Sequence, residues 1–225
     1  MITLSGVSKR YGRGAGATVV ADNISARFRG GRSIALLGCN GAGKSSLLRI
    51  IAGTMDPDQG RVETSGRVSW PIGITGSFHG DLSGRQNIRF LARVYGVDAA
   101  SMVDAVESFA QIGRHLRQPV KTYSAGMKAR LAFGCAMAIP FDTYLVDEVT
   151  SVGDAGFKER SKTLFLDRMQ RAGAIVVSHT LPLLREICDE AVVLSQGRIT
   201  HYLDVEAAID HHLSLIRNRP NPHHA

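Results

Sequence analysis

Cysteine is scarce in this 225-residue chain: Cys39, Cys135 and Cys188 are its only thiols, odd in number and far apart. That spacing excludes a disulfide framework and the paired-cysteine metal or redox motifs, and it predicts reduced thiols in a cytosolic protein. Long apolar runs are missing too. None approaches the eighteen or so residues that a spanning helix needs, so any membrane attachment is expected to come through a partner. The first residues, Met1-Ile2-Thr3-Leu4-Ser5, lack the basic stretch and apolar core of a secretory signal. Aromatic residues make up only 6% of the sequence, with one Trp, and they do not interleave with the basic residues. A nucleic-acid surface of the stacking kind is therefore not expected. No internal repeat is visible, and composition is biased only in a Gly-rich patch at 12–16 and a polar tail at 217–225.

What is present is ordinary globular protein, 44% apolar and 21% charged. Lys and Arg number 27 against 20 Asp and Glu, for a net charge of +7. Scattered as they are, the basic residues read as a solvated surface suited to nucleotide or an anionic membrane face.

Along the chain, strands come first. Residues 2–4 alternate, and 19–28 form a second β-rich run. Ser33-Ile34-Ala35-Leu36-Leu37 is a short apolar run of the buried parallel type. A Gly-rich loop follows, then a helix over 44–52 that Gly53 stops. The middle is helical, with apolar i, i+3, i+4 spacing over 84–94 and 99–112 and a third helix over 124–138. Strands at 143–146, 174–178 and 191–195 then alternate with helices at 157–171 and 180–187, before a last strand and a closing helix over 204–216. Strands separated by helices imply a mostly parallel sheet covered on both faces. The helical block implies an inserted lobe at 77–140 in a core made of 1–76 and 141–216.

Gly38-Cys39-Asn40-Gly41-Ala42-Gly43-Lys44-Ser45 fits the phosphate loop in full, between a buried strand and a helix. Glycines let backbone N–H groups converge on phosphate oxygens, and the helix N-terminus adds partial positive charge. Lys44 is placed for the β- and γ-phosphates and Ser45 for Mg²⁺, with Ser46 beside them. A second apolar run ends in Asp147-Glu148. Alone, such a pair marks a strand edge or a helix cap. Beside a phosphate loop, Asp147 is a Mg²⁺ ligand and Glu148 a general base for the attacking water. A third run ends in Ser178-His179, either a solvated surface histidine or an imidazole that faces the γ-phosphate. Ser124-Ala125-Gly126 opens a helix, and sequence physics leaves a plain cap and an anion site open.

The ordered set resembles the ATP-binding cassette (ABC) family from Tyr11 to the last strand. The resemblance implies a P-loop NTPase core of RecA-like type, an N-terminal antiparallel β subdomain and an inserted α-helical subdomain. It further implies that Tyr11 stacks on adenine, and that Ser124 and Gly126 are signature residues contacting the γ-phosphate held by the other protomer of a homodimer. Val152-Gly153-Asp154 would be the loop crossing between the two, with Asp154 in the nucleotide site. The family's Mg²⁺- and water-contacting glutamine aligns with His79, a shorter group with one hydrogen bond to give or take.

The segments 69–73 and 76–87, Tyr123-Ser124-Ala125-Gly126-Met127 and Asp147-Glu148-Val149-Thr150-Ser151-Val152-Gly153-Asp154 are similar to the ATP-binding subunits of capsular-polysaccharide exporters. Such a subunit hydrolyses ATP on the cytoplasmic face of the inner membrane, bound to an integral-membrane permease, and meets the polysaccharide only indirectly. The short remainder after the last strand leaves no room for a separate carbohydrate-binding domain. Export of another glycan, O-antigen or teichoic acid, is the first alternative. A soluble cassette ATPase acting on ribosomes or DNA is the second, disfavoured because the chain has neither a second cassette nor a long coiled-coil insertion. A small-molecule P-loop kinase would leave the Ser124 motif without a purpose.

Overall fold

The computed structural model describes residues 1–72, 78–148 and 155–218. In chain order its elements are β1 (Ile2–Tyr11), β2 (Thr18–Phe28), β3 (Ser33–Leu37), α1 (Lys44–Ile51), β4 (Gln59–Thr64) and β5 (Val68–Ile72). Then follow α2 (Gly84–Tyr95), α3 (Ala99–Ala110), α4 (Ala125–Ala138), β6 (Thr143–Asp147), α5 (Ala155–Arg171) and β7 (Gly173–Val177). The series closes with α6 (Leu181–Ile187), β8 (Glu190–Ser195), β9 (Arg198–Tyr202) and α7 (Val205–Arg217). The chain folds into two compact units: Met1–Pro71, Asp142–Glu148 and Ala172–Ala225 form one, Ile72–Phe141 and Val149–Arg171 the other.

The first unit is built on two sheets. A three-stranded antiparallel sheet runs in the order β2-β1-β4, and a six-stranded one in the order β5-β6-β7-β3-β8-β9. β6, β7, β3 and β8 are parallel, with Leu145 opposite Ile175, Ile34 opposite Ile175 and Leu37 opposite Val193. Every residue of β3 and β7 is buried. That explains why both read as unbroken apolar runs: a parallel strand covered on two faces has no wet side. β9 turns back antiparallel on β8. Leu47, Leu48, Ile50 and Ile51 of α1 sink into one apolar core with Ile2, Leu4 and Ile24 of the small sheet and Ile34, Leu145 and Val192 of the large one. Each such side chain stabilises the fold by about 1.5–3 kcal/mol, enough to fix α1 as the rigid element behind the phosphate loop.

The second unit is helical. Ser83 and Gln86 form a capping box at the start of α2: the Gln86 N–H donates to Ser83 Oγ, and the Ser83 N–H to Gln86 Oε1 at 2.8 Å. Asp98 caps α3 by accepting from the Ser101 N–H at 2.8 Å. α3 packs on α4 through Val106 and Phe109 at Gly134, where an added Cβ would lie 3.3 Å from Val106 Cγ1. Phe109 stacks on Phe133 with ring centres 5.4 Å apart and tilts against Phe157 of α5.

Candidate nucleotide site

Topology assembles the site. β6, β7 and β3 are parallel neighbours, so their C-terminal ends lie side by side. Three motifs, at 38–45, 147–148 and 178–179, therefore share one rim of the sheet, the place where open parallel sheets bind ligands. A cavity of about 540 Å³ opens there. Asn40, Gly41, Gly43, Lys44, Ser45 and Ser46 line it from the loop after β3, Asp147 and Glu148 from the end of β6, and Val177 and His179 from the end of β7. Tyr11, Thr18 and Val20 close it from the small sheet. Gly38, Cys39 and Ala42 complete the loop, which the Ala42 N–H tightens by donating to Cys39 O at 3.0 Å.

The loop's conformation belongs to glycine. Gly43, the N-cap of α1, has φ 102°, and no side chain caps the helix. The first N–H groups of α1 are thus open toward the cavity, the arrangement that binds phosphate. Lys44 Nζ donates to Gly38 O at 2.6 Å and to Cys39 O at 3.1 Å. Burial holds its ammonium below the usual lysine range, against the opposing pull of Cys39, Asp147 and Glu148.

Asp147 is the last residue of β6, level with Val177 on β7. Glu148 follows with φ 52°, a left-handed conformation that costs a non-glycine residue about 1–2 kcal/mol. Its N–H donates to Val177 O at 2.9 Å, which locks the bend. The bend turns the carboxylate to the rim, where Oε1 lies 2.8 Å from Nε2 of His179. Strain of this kind at a carboxylate beside a cavity is a mark of function. Tyr11 is 42% exposed. Its hydroxyl lies 3.3 Å from Ser46 Oγ and donates to Met55 Sδ at 3.1 Å, leaving a ring face available to a planar ligand.

The donor set suits a triphosphate with Mg²⁺. One hydroxyl, one carboxylate and phosphate oxygens form the sparse, oxygen-only ligand set that this ion prefers. No cluster of three or more His, Cys, Asp or Glu side chains suited to a metal occurs among the described residues.

Ser124, Gly126 and His79 belong to the second unit. Ser124 Oγ accepts from the Met127 N–H at 3.2 Å and so caps α4. With Gly126, Gln111, His115 and Arg130 it lines a hollow of about 300 Å³. The backbone of His79 is held by Asn87, which is 3% exposed: Asn87 Oδ1 accepts from the His79 N–H at 2.9 Å, and Nδ2 donates to the carbonyls of His79, Leu82 and Ser83. Asp154, with 149–153, lies outside the described residues, as do 73–77 of the exporter-like stretch. Thr18 and Val20 escaped the sequence reading. Their only signal is antiparallel register, which sets Thr18 opposite Tyr11. Neither Cys135 nor Cys188 lines the cavity. Burial pushes both thiols up, Cys188 to about 12.

Residues 21–151 match the ABC transporter family. Over 213 residues the chain is 43% identical to the polysialic acid transport ATP-binding protein KpsT of Escherichia coli, covering 93% of this chain and 95% of that one. Over 215 residues it is 40% identical to the capsule polysaccharide export ATP-binding protein CtrD of Neisseria meningitidis serogroup B, covering 96% and 100%. The fold matches a dimeric post-hydrolysis structure of the ATP-binding cassette MJ0796 bound to ADP and Pi, with TM-score 0.76 at 19% identity over 91% of this chain and 99% of that one.

Proposed function

This chain belongs to the ABC transporter family as an ATP-binding and ATP-hydrolysing subunit that uses ATP and Mg²⁺, and from that premise we propose that it powers export of capsular polysaccharide across an inner membrane, as a homodimer attached to a permease. The observation that carries the proposal is the single cavity joining Lys44, Ser45, Asp147, Glu148 and His179, in a chain that parallels polysaccharide-transport ATPases over nearly their whole length.

Lys44 engages the β- and γ-phosphates, and the loop N–H groups from Gly38 to Ser46 surround them. Ser45 and Asp147 would hold the magnesium ion, which supplies positive charge to the phosphates. Glu148 accepts a proton from the attacking water, and His179, already at 2.8 Å from that carboxylate, keeps it in line. Tyr11 stacks on adenine. The γ-phosphate is completed from the second copy, by Ser124 and Gly126 at the start of α4, with Asp154 crossing between copies. The dimeric cassette that shares this fold supports such a pairing. His79 stands at the sequence position of the family's Mg²⁺- and water-contacting glutamine.

The chain acts as one ATPase domain, and its helical part takes in α5 (Ala155–Arg171) together with the 77–140 lobe expected from the sequence. No described helix is long and apolar enough to cross a membrane, in keeping with a peripheral place on the cytoplasmic face. A cytoplasmic helix of the permease would seat near His79-Gly80-Asp81 and turn ATP-driven closure into movement of the membrane subunit. The polysaccharide itself would touch the permease alone. Glu148→Gln tests the scheme: it should bind ATP, trap a closed dimer by size-exclusion chromatography and abolish turnover. Normal hydrolysis by that variant would remove Glu148 from the reaction. In cells, deletion of the chain should leave polysaccharide in the cytoplasm.

A further inference from the structure

The aromatic ring beside the phosphate loop is anchored by its hydroxyl. Tyr11 is the last residue of β1, and the backbone before it is fixed by Asp58, which lies between α1 and β4. Asp58 accepts from the Arg10 N–H at 2.8 Å and from Lys9 Nζ at 2.7 Å, and its own N–H donates to Ser8 O at 2.8 Å. An exposed ring at a strand end is still free to turn about its side-chain torsions. Two further contacts stop it: the Tyr11 hydroxyl donates to Met55 Sδ at 3.1 Å and lies 3.3 Å from Ser46 Oγ.

The protons settle which group gives and which takes. A thioether has no proton to offer, so the single phenolic proton goes to Met55, and Ser46 supplies the proton of the second contact. Met55 is a firm anchor, half-buried and packed against the core that also holds Leu47, Leu48 and Ile51 of α1. Ser46 stands in the first turn of α1, two residues after Lys44, and lines the cavity. The ring is thus held by the helix whose start faces the phosphates. Stacking on a base uses the ring face alone, and phenylalanine would supply that equally. Neither the oxygen of Tyr11 nor the sulfur of Met55 is needed for it.

We propose that Met55 and the Tyr11 hydroxyl are positioning groups for the base. They hold the ring at a set distance and tilt from the phosphate loop before nucleotide arrives, so a base joined to bound phosphates meets a platform already in place. Met55 does not line the cavity and acts through Tyr11. Because the ring has little freedom left to lose, stacking costs less on binding. This rests on the placement of ATP in the cavity described above, with adenine on Tyr11.

Calorimetric titration of the full chain with two magnesium-bound probes tests it: a non-hydrolysable ATP analogue, and tripolyphosphate, which carries the phosphates without the base. Tyr11→Phe keeps the ring and deletes the oxygen, and Met55→Leu keeps the volume and deletes the sulfur acceptor. Each should weaken the analogue about two- to tenfold and leave tripolyphosphate within about twofold. The double variant should be no worse than Tyr11→Phe alone, because both changes cut one tether. Equal loss for both probes would mean a general softening of the phosphate loop and would overturn the proposal. So would wild-type affinity for the analogue in either variant, or losses that add in the double variant. Should Met55→Leu fail to fold, Tyr11→Phe, altered at an exposed ring, decides with the two probes alone. Tyr11→Ala separates the tether from the reading beneath it and should lose about five- to a hundredfold in analogue affinity. A loss there with none in Tyr11→Phe refutes the tether and leaves the stack standing. No loss in Tyr11→Ala brings down the placement of adenine, and the tether with it.

Discussion

Replacing Gly43 by alanine isolates what the phosphate loop asks of its backbone. At φ 102° and ψ 12° the residue lies where an L side chain is strained, at a cost of about 1–2 kcal/mol. A Cβ built there would run into Cγ1 of Val20, with Val20 Cβ at 3.1 Å and Cα at 3.3 Å. Val20 is only 4% exposed and has little room to withdraw, so overpacking adds about 1–3 kcal/mol. The sum is about 2–5 kcal/mol, and at about 2–4 °C per kcal/mol for a chain of this size Tm should fall by roughly 4–20 °C. Nucleotide affinity should drop as well, because Val20 lines the cavity. Adding Val20→Ala removes the collision but not the dihedral strain. The double variant should therefore be less damaged than the two single changes summed, by about 0.5–3 kcal/mol. Thermal unfolding of the four proteins, with and without nucleotide, measures this cycle. A Gly43→Ala protein within about 0.5 kcal/mol of wild type, or strict additivity across the cycle, would refute the reasoning.

Thiol alkylation should stop ATP turnover through Cys39, whose carbonyl receives Lys44; bound ATP should protect, and mass mapping should find Cys135 and Cys188 slow to react because burial pushes both thiols up. Equal inhibition of Cys39→Ala would place the reactive site elsewhere. Asn87→Ala should cost about 2–4 kcal/mol in chemical denaturation, since it strands the His79 N–H and three carbonyls in a buried setting. Asn87→Asp should be no milder, because a carboxylate has no N–H to offer those carbonyls.

How much of this was legible beforehand depended on what holds each element. β3, β6 and β7 announce themselves because strands buried on both faces must be continuously apolar. β4 does not. In Gln59–Thr64 only Val62 is even half-buried, and the strand exists because its backbone pairs with β1, Val62 opposite Leu4 and Glu63 opposite Thr3. β1 likewise runs on through Ser8, Lys9 and Arg10, across register shifts that break any alternation. The same contrast holds at the cavity. Lys44, Ser45, Asp147, Glu148 and His179 were legible because each stands where a buried strand ends. Thr18 and Val20 were not. They arrive through strand register, which three-dimensional pairing decides and local spacing does not encode.

Lys44 is never idle. Its ammonium donates to the carbonyls of Gly38 and Cys39. Nucleotide binding is therefore an exchange of partners, and the affinity it yields is only the surplus of phosphate over peptide oxygen. The same fallback works in reverse when ADP departs. A bare cation would cling to product, whereas this one has a home to return to, which suits a motor that must let go once per cycle.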